Sequence, residues 1–134
     1  MAMIKSQHLK MLTLDGGGSK GIYSLGILYE LEQSLDQPLT DFFDCFYGTS
    51  TGSIIAASLS LGTSIKDIKT MYLDCIPRIM SPYLASTRSK VLKDVLENAF
   101  DKKTFHECKK YLGVVATCFM QRRPKKELAC FFCF

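Results

Sequence analysis

The chain has 134 residues, long enough for one domain with a real core and too short for two. Hydrophobic residues make up 47% of it, which excludes a disordered segment, and no apolar run reaches the roughly 18 residues of a membrane span. The net charge of +4 is gathered late, in Lys102, Lys103, Lys109, Lys110, Arg122, Arg123, Lys125 and Lys126. No aromatic pattern interleaves with these charges, so they read as solvated faces of a helix and a loop and not as a nucleic-acid module, although an anionic membrane surface would also suit them.

In chain order, residues 9–14 alternate apolar and polar and then break at Asp15, Gly16, Gly17 and Gly18, a short strand running into a glycine turn. Ile22, Leu25, Leu28, Leu31 and Leu35 recur at helical spacing, so a helix is expected over 21–35, ended by Asp36, Gln37 and Pro38. Residues 39–44 lead into a strand that stops at Gly48, Thr49, Ser50, Thr51 and Gly52. A small-residue helix over 51–61, with Ser53, Ala56, Ala57, Ser58 and Ser60, suits close packing against a sheet and stops at Gly62. Ser64 then caps a helix whose apolar face is Ile65, Ile68, Tyr72, Cys75 and Ile76. Pro77 and Pro82 are expected to bracket a loop. An amphipathic helix over 89–100 and a short helix over 104–110 come next. Residues 112–119 read as a central strand covered on both faces. Residues 121–126 read as a basic turn around Pro124, and residues 128–134 are apolar again. Strands alternating with helices place the chain in the α/β class with a mostly parallel sheet.

The six cysteines, Cys45, Cys75, Cys108, Cys118, Cys130 and Cys133, sit mostly inside apolar runs, where a free thiol acts as a small hydrophobe. The first residues carry no signal-peptide apolar region, so reduced thiols in a cytoplasmic protein are expected. Cys130 and Cys133 form a single C-x-x-C, for which His106 and Cys108 supply no second knuckle. Neither a metal nor a cofactor is expected.

Two stretches carry chemistry. Gly48-Thr49-Ser50-Thr51-Gly52 reads G-x-S-x-G between a strand and a helix, the order a nucleophile elbow needs, with Gly48 and Gly52 clearing space at the turn and Ser50 as the nucleophile. Asp15-Gly16-Gly17-Gly18-Ser19-Lys20-Gly21 leaves backbone N–H groups uncovered at a helix N-terminus, where negative charge is stabilised. The turn would serve either as an oxyanion hole or, because Gly16, Gly18 and Gly21 fit G-x-G-x-x-G, as a dinucleotide site. Against the dinucleotide reading, Asp15 would set a carboxylate beside the pyrophosphate, and Gly48 to Gly52 would go unexplained. A nucleophile on one strand end and oxyanion donors on another can meet at the carboxyl edge of a parallel sheet.

The paired boxes, D-G-G-G-S-K-G and G-T-S-T-G, together with Asp41-Phe42-Phe43-Asp44 before the second, resemble the patatin-like phospholipases over roughly residues 9–61. From 64 to 119 the resemblance is one of helix and strand order only. It implies a three-layer α/β/α fold, hydrolysis of lipid acyl esters such as phospholipids by a serine–aspartate dyad, and no metal. Ser50 would be the nucleophile. The N–H groups around Gly16, Gly17 and Gly18 would form the oxyanion hole, with Asp15, Lys20 and Gly21 completing that box and Gly48 and Gly52 the elbow. A membrane lipid or lipid ester is then the expected partner, met by a cytoplasmic protein at the membrane periphery.

The family's aspartate lies in a later D-G-A or D-G-G box, and here the only Asp-Gly is Asp15-Gly16. Asp67, Asp74, Asp94 and Asp101 follow Ser50, and none precedes a glycine. The catalytic base is therefore unassigned. A rival triad of Ser50, Asp101 and His106 has an allowed chain order, but its last two members lie only five residues apart. Residues 1–134 are accordingly expected to be an N-terminal part of the domain, truncated or frameshifted after about Pro124, poorly active alone and prone to self-association through exposed sheet edges. A non-catalytic lipid- or partner-binding remnant, or a nucleotide-binding module using Gly16 to Gly21, are the alternatives.

Overall fold

The computed structural model describes residues 8–81, 85–101, 103–117 and 129–133. Four strands form one sheet in the order β1-β2-β3-β4: β1 (Met11–Leu14), β2 (Cys45–Thr49), β3 (Tyr111–Thr117) and β4 (Ala129–Cys133). The first three run parallel, with Met11, Cys45 and Tyr111 in line at one end and Leu14, Gly48 and Val114 in line nearer the other. β4 is antiparallel to β3. Between the strands lie α1 (Gly21–Leu35), α2 (Leu39–Phe42), α3 (Thr51–Ser60), α4 (Ile65–Met80) and α5 (Ala85–Phe100). This is the expected α/β class, an open and mostly parallel sheet with helices packed on it.

Strand alternation decides which residues reach the core. Leu12, Leu14, Phe46, Leu112 and Val114 share one parity and pack with Leu25, Leu28, Ile55, Ile68 and Tyr72 of the helices. Of the other parity, Met11 and Tyr111 stay exposed, while Cys45, in register between them, and Gly113 are buried. In the strand expected over 112–119, Leu112 and Gly113, of opposite parity, are both buried and Val114 and Val115 are partly buried, while Tyr111, just before that stretch, is exposed.

Asp44 joins the three parallel strands where they begin. Its side chain accepts from the N–H of Lys10, its own N–H donates to the carbonyl of Lys10, and its carbonyl accepts from the N–H of Tyr111. The strand expected to form directly before the elbow is shorter than its apolar run suggests. Leu39–Phe42 is a helical turn introduced by Pro38, and the Leu39 N–H is held by Glu32.

α3 lies against all three parallel strands, and its small residues explain how. Gly52, Ala56, Ser58 and Ser60 are buried, and the two buried hydroxyls bond back to the carbonyls of Ile54 and Ala57. Ser64 caps α4 as expected, accepting from the N–H of Asp67.

The loop expected between Pro77 and Pro82 begins later. α4 runs through Pro77 to Met80: Pro77 lacks the N–H of one helical bond, but the buried stripe of Ile68, Tyr72 and Ile76 holds the helix, and Ser81 donates to the Pro77 carbonyl. The short helix expected over 104–110 contracts to a 3-10 turn, Phe105–Glu107, held by a reciprocal capping box between Thr104 and Glu107. The amphipathic helix begins earlier than expected, at Ala85. Pro82, Cys118 and the basic turn at 121–126 lie outside the described residues.

Candidate active site

Ser50 follows the last residue of β2 and precedes the first residue of α3, so it stands at the carboxyl edge of the sheet. Its backbone has φ 54° and ψ −126°, a conformation that L-residues adopt only when the surrounding structure forces it. The turn is closed by the Ser53 N–H donating to the Ser50 carbonyl and by the Ser53 hydroxyl donating to the Gly48 carbonyl. A side chain at Gly48 would run into the backbone of Gly52 and Ser53, and one at Gly52 would meet the Asp15 carbonyl at 2.7 Å. Both elbow glycines are therefore required by close approach. Ser50 is exposed, and among the described residues none is hydrogen-bonded to its hydroxyl.

The glycine turn reaches the same place from β1. A methyl on Gly16 would sit 2.7 Å from the Ser50 Cβ and 2.9 Å from the Thr49 carbonyl oxygen, so the turn is packed directly on the elbow. The Gly17 N–H donates to the Thr51 hydroxyl at 3.3 Å, tying the two stretches together. That N–H is consequently occupied by the protein itself. A 3-10 turn, Gly18–Lys20, leads into α1, and Gly18 has φ +56°. Among the described residues, the N–H groups of Gly16, Gly18 and Ser19 bond to no protein acceptor. Lys20 is exposed and makes no ion pair among the described residues, and Gly21 is buried where α1 begins.

Two residues near the site were not singled out by sequence. Thr51 is one, and its signal was only its place beside the nucleophile. The other is Tyr72, read as one member of an apolar face. It is 2% exposed, and its hydroxyl donates to the Gly18 carbonyl.

Other candidates lie elsewhere. His106 is in the 3-10 turn before β3, at the edge of the sheet where the strands begin, and Ser50 follows the end of β2. The length of a five-residue strand, about 13 Å, separates those edges, so His106 does not join Ser50 in a triad. Asp67, Asp74 and Asp94 are exposed on α4 and α5, and Asp101 is exposed just after α5. No group of three or more His, Cys, Asp or Glu is placed to hold a metal among the described residues. Among the described residues, Cys45, Cys75 and Cys108 are not in disulfides, and the Cys108 sulfur accepts from the Ser60 hydroxyl. Burial, and then the neighbouring Asp74 carboxylate, push the Cys75 thiol above its ordinary pKa, against a smaller opposing effect of Arg78.

An apolar cavity of about 340 Å³ lies between α3, α5 and β3, lined by residues that include Ser53, Ile54, Ala57, Phe100, Phe105 and Val114. Among the described residues no helix is long and apolar enough to cross a membrane.

Residues 12–130 match a family model described as Patatin-like phospholipase. The chain is 44% identical over 115 residues to a cUMP-AMP-activated phospholipase of Escherichia coli, covering 86% of this chain and 36% of that protein. It is 33% identical over 94 residues to an intracellular phospholipase A2 of Caenorhabditis elegans, covering 67% of this chain and 9% of that protein. It is 28% identical over 134 residues to a cGAMP-activated phospholipase of Pseudomonas aeruginosa, covering 92% of this chain and 40% of that protein.

Proposed function

Since the chain belongs to the patatin-like phospholipase family, we propose that it carries the nucleophile and the oxyanion donors of a serine hydrolase acting on lipid acyl esters. The observation that carries this reading is the packing of Gly16 against Ser50, with Ser50 held at positive φ. A glycine turn built for a nucleotide has no need of a strained serine at its side, so the same packing favours the hydrolase over the nucleotide module.

In the proposed reaction the Ser50 hydroxyl attacks the ester carbonyl while a base takes its proton. The tetrahedral oxyanion is held by N–H groups of the turn. With the Gly17 N–H engaged by Thr51, the donors left at the turn are Gly16, Gly18 and Ser19. Collapse of the intermediate expels the alcohol, which takes the proton from the base. Water then attacks the acyl-serine and releases the fatty acid. The apolar cavity between α3, α5 and β3, with Ser53 in its lining, suits an acyl chain, which supports a lipid ester as the substrate class. The absence of disulfides among Cys45, Cys75 and Cys108 fits a reducing, cytoplasmic setting.

The base is the aspartate of a serine–aspartate dyad, and this chain has no Asp-Gly pair after Ser50 to supply it. The chain spans 36% of the length of the Escherichia coli relative, so the activity of a whole relative is not assumed for it. Two of the relatives are named for activation by cyclic nucleotides, and dependence on such an activator is part of the same proposal.

Labelling with a fluorophosphonate probe tests the nucleophile: the chain is expected to label slowly and Ser50→Ala not at all. Equal labelling of the two removes Ser50 from the role. Robust esterase turnover by the 134-residue chain alone would show that its base lies within it.

A further inference from the structure

Tyr72 lies on α4, 54 residues beyond the glycine whose carbonyl it bonds, and its side chain is almost wholly buried. A buried phenol needs an acceptor, and this one takes the carbonyl of Gly18 inside the turn that faces Ser50. The same carbonyl also accepts the N–H of Gly21, so it carries two hydrogen bonds. Gly18, at φ +56°, has no side chain to restrict it and would otherwise be among the freest residues of the turn. The peptide unit is planar, so holding the Gly18 carbonyl also sets the direction of the Ser19 N–H on the far side of that unit.

Gly21 completes the arrangement. A methyl there would collide with the Tyr72 hydroxyl and ring, so the last glycine of the D-G-G-G-S-K-G box makes room for this phenol. Met80, two turns further along α4, also reaches the turn, with its Cε 3.5 Å from where a Gly18 side chain would begin. α4 thus forms a wall behind the turn, and Tyr72 is its hydrogen-bonding member.

We propose that Tyr72 is a positioning residue of the acyl-hydrolase site, its hydroxyl fixing the Gly18 peptide so that the turn presents its N–H groups where the oxyanion forms. The inference rests on the reading of Ser50 as nucleophile. It adds a residue from outside both motifs whose removal weakens transition-state stabilisation and leaves ground-state binding alone.

Tyr72→Phe keeps the ring and deletes the hydroxyl. With fluorophosphonate labelling of the 134-residue chain resolved into KI and the limiting rate, the variant is expected to lose at least tenfold in limiting rate with KI within twofold. Amide hydrogen exchange at Gly17, Lys20 and Gly21, whose N–H groups are hydrogen-bonded in the turn, is expected to quicken at least tenfold, with α3 and the rest of α4 unchanged. Wild-type limiting rate in the variant, even with a lowered melting temperature, would reduce Tyr72 to a packing residue and overturn the proposal. Unchanged exchange at Gly17, Lys20 and Gly21 would overturn it independently. If the unaltered chain labels no faster than Ser50→Ala, the nucleophile reading fails, and the exchange measurement still decides whether Tyr72 orders the turn. Should Tyr72→Phe not fold, Gly21→Ala displaces the hydroxyl without deleting it and is expected to give the same exchange change, and an unchanged turn there counts against the proposal.

Discussion

Ser50 holds a backbone conformation that costs about 1–3 kcal/mol for a non-glycine residue, and the elbow around it supplies that cost through the two bonds of Ser53 and the close seating of Gly48 and Gly52. Ser50→Gly would relieve the strain and delete the hydroxyl together. It is expected to raise stability by about 1 kcal/mol in urea unfolding while abolishing fluorophosphonate labelling, a trade of stability against function at one position. Gly16→Ala acts in the opposite sense. Its methyl would meet Ser50 Cβ at 2.7 Å, where the nearest atoms belong to a backbone turn that cannot swing aside. Loss of about 2 kcal/mol or more in the same unfolding measurement, together with loss of labelling, is expected. Cys75 offers a check remote from the site. Its pKa is raised, so less of it is thiolate at neutral pH, and in the folded chain it should alkylate with iodoacetamide more slowly than in urea-unfolded chain.

α3 and α4 differ in how much of their behaviour comes from their own residues. α3 has little amphipathic pattern, and its identity as a helix rests on small residues that let it approach the sheet closely and on serines whose hydroxyls find carbonyls within the helix. α4 is patterned from end to end and begins with its own cap. Ser64→Ala is expected to cost about 1 kcal/mol, measured by urea unfolding, since it removes the acceptor of the Asp67 N–H. Pro77 shows where a local rule overreaches. Proline disfavours a helix interior, yet the apolar stripe of Ile68, Tyr72 and Ile76 is buried and carries the helix past it. Pro77→Ala should therefore raise the melting temperature slightly, restoring one main-chain bond at the expense of a stiffer unfolded chain.

On the scale of the whole molecule, the first 60 residues, apart from the helical turn Leu39–Phe42, were legible because their signals are local. Glycines punctuate both turns, the 3.6-residue period marks α1, and two motifs carry the roles proposed for Ser50 and for Gly16 to Gly18. Less of the later chain was legible, since the start of α5, the shrinkage of 104–110 to one turn and the exposure of Tyr111 depend on what packs beside them. Leu9 and Met11, in and beside the outer strand β1, are exposed, as is Tyr111 on β3. Such surface predicts concentration-dependent association in size-exclusion chromatography with light scattering, and a compact monomer at all concentrations would refute it. The sequence by itself determined the α/β class, the order of the boxes and the proposal of Ser50 as nucleophile, because periodicity, turn chemistry and motif spacing are properties of neighbouring residues. Only the tertiary structure decided that Gly16 rests on Ser50, that Thr51 occupies the Gly17 N–H, that His106 stands at the wrong edge of the sheet and that Tyr72 reaches back to Gly18. Each of these joins residues tens of positions apart, or excludes such a pairing, through strand register and helix packing, and no local pattern encodes that distance.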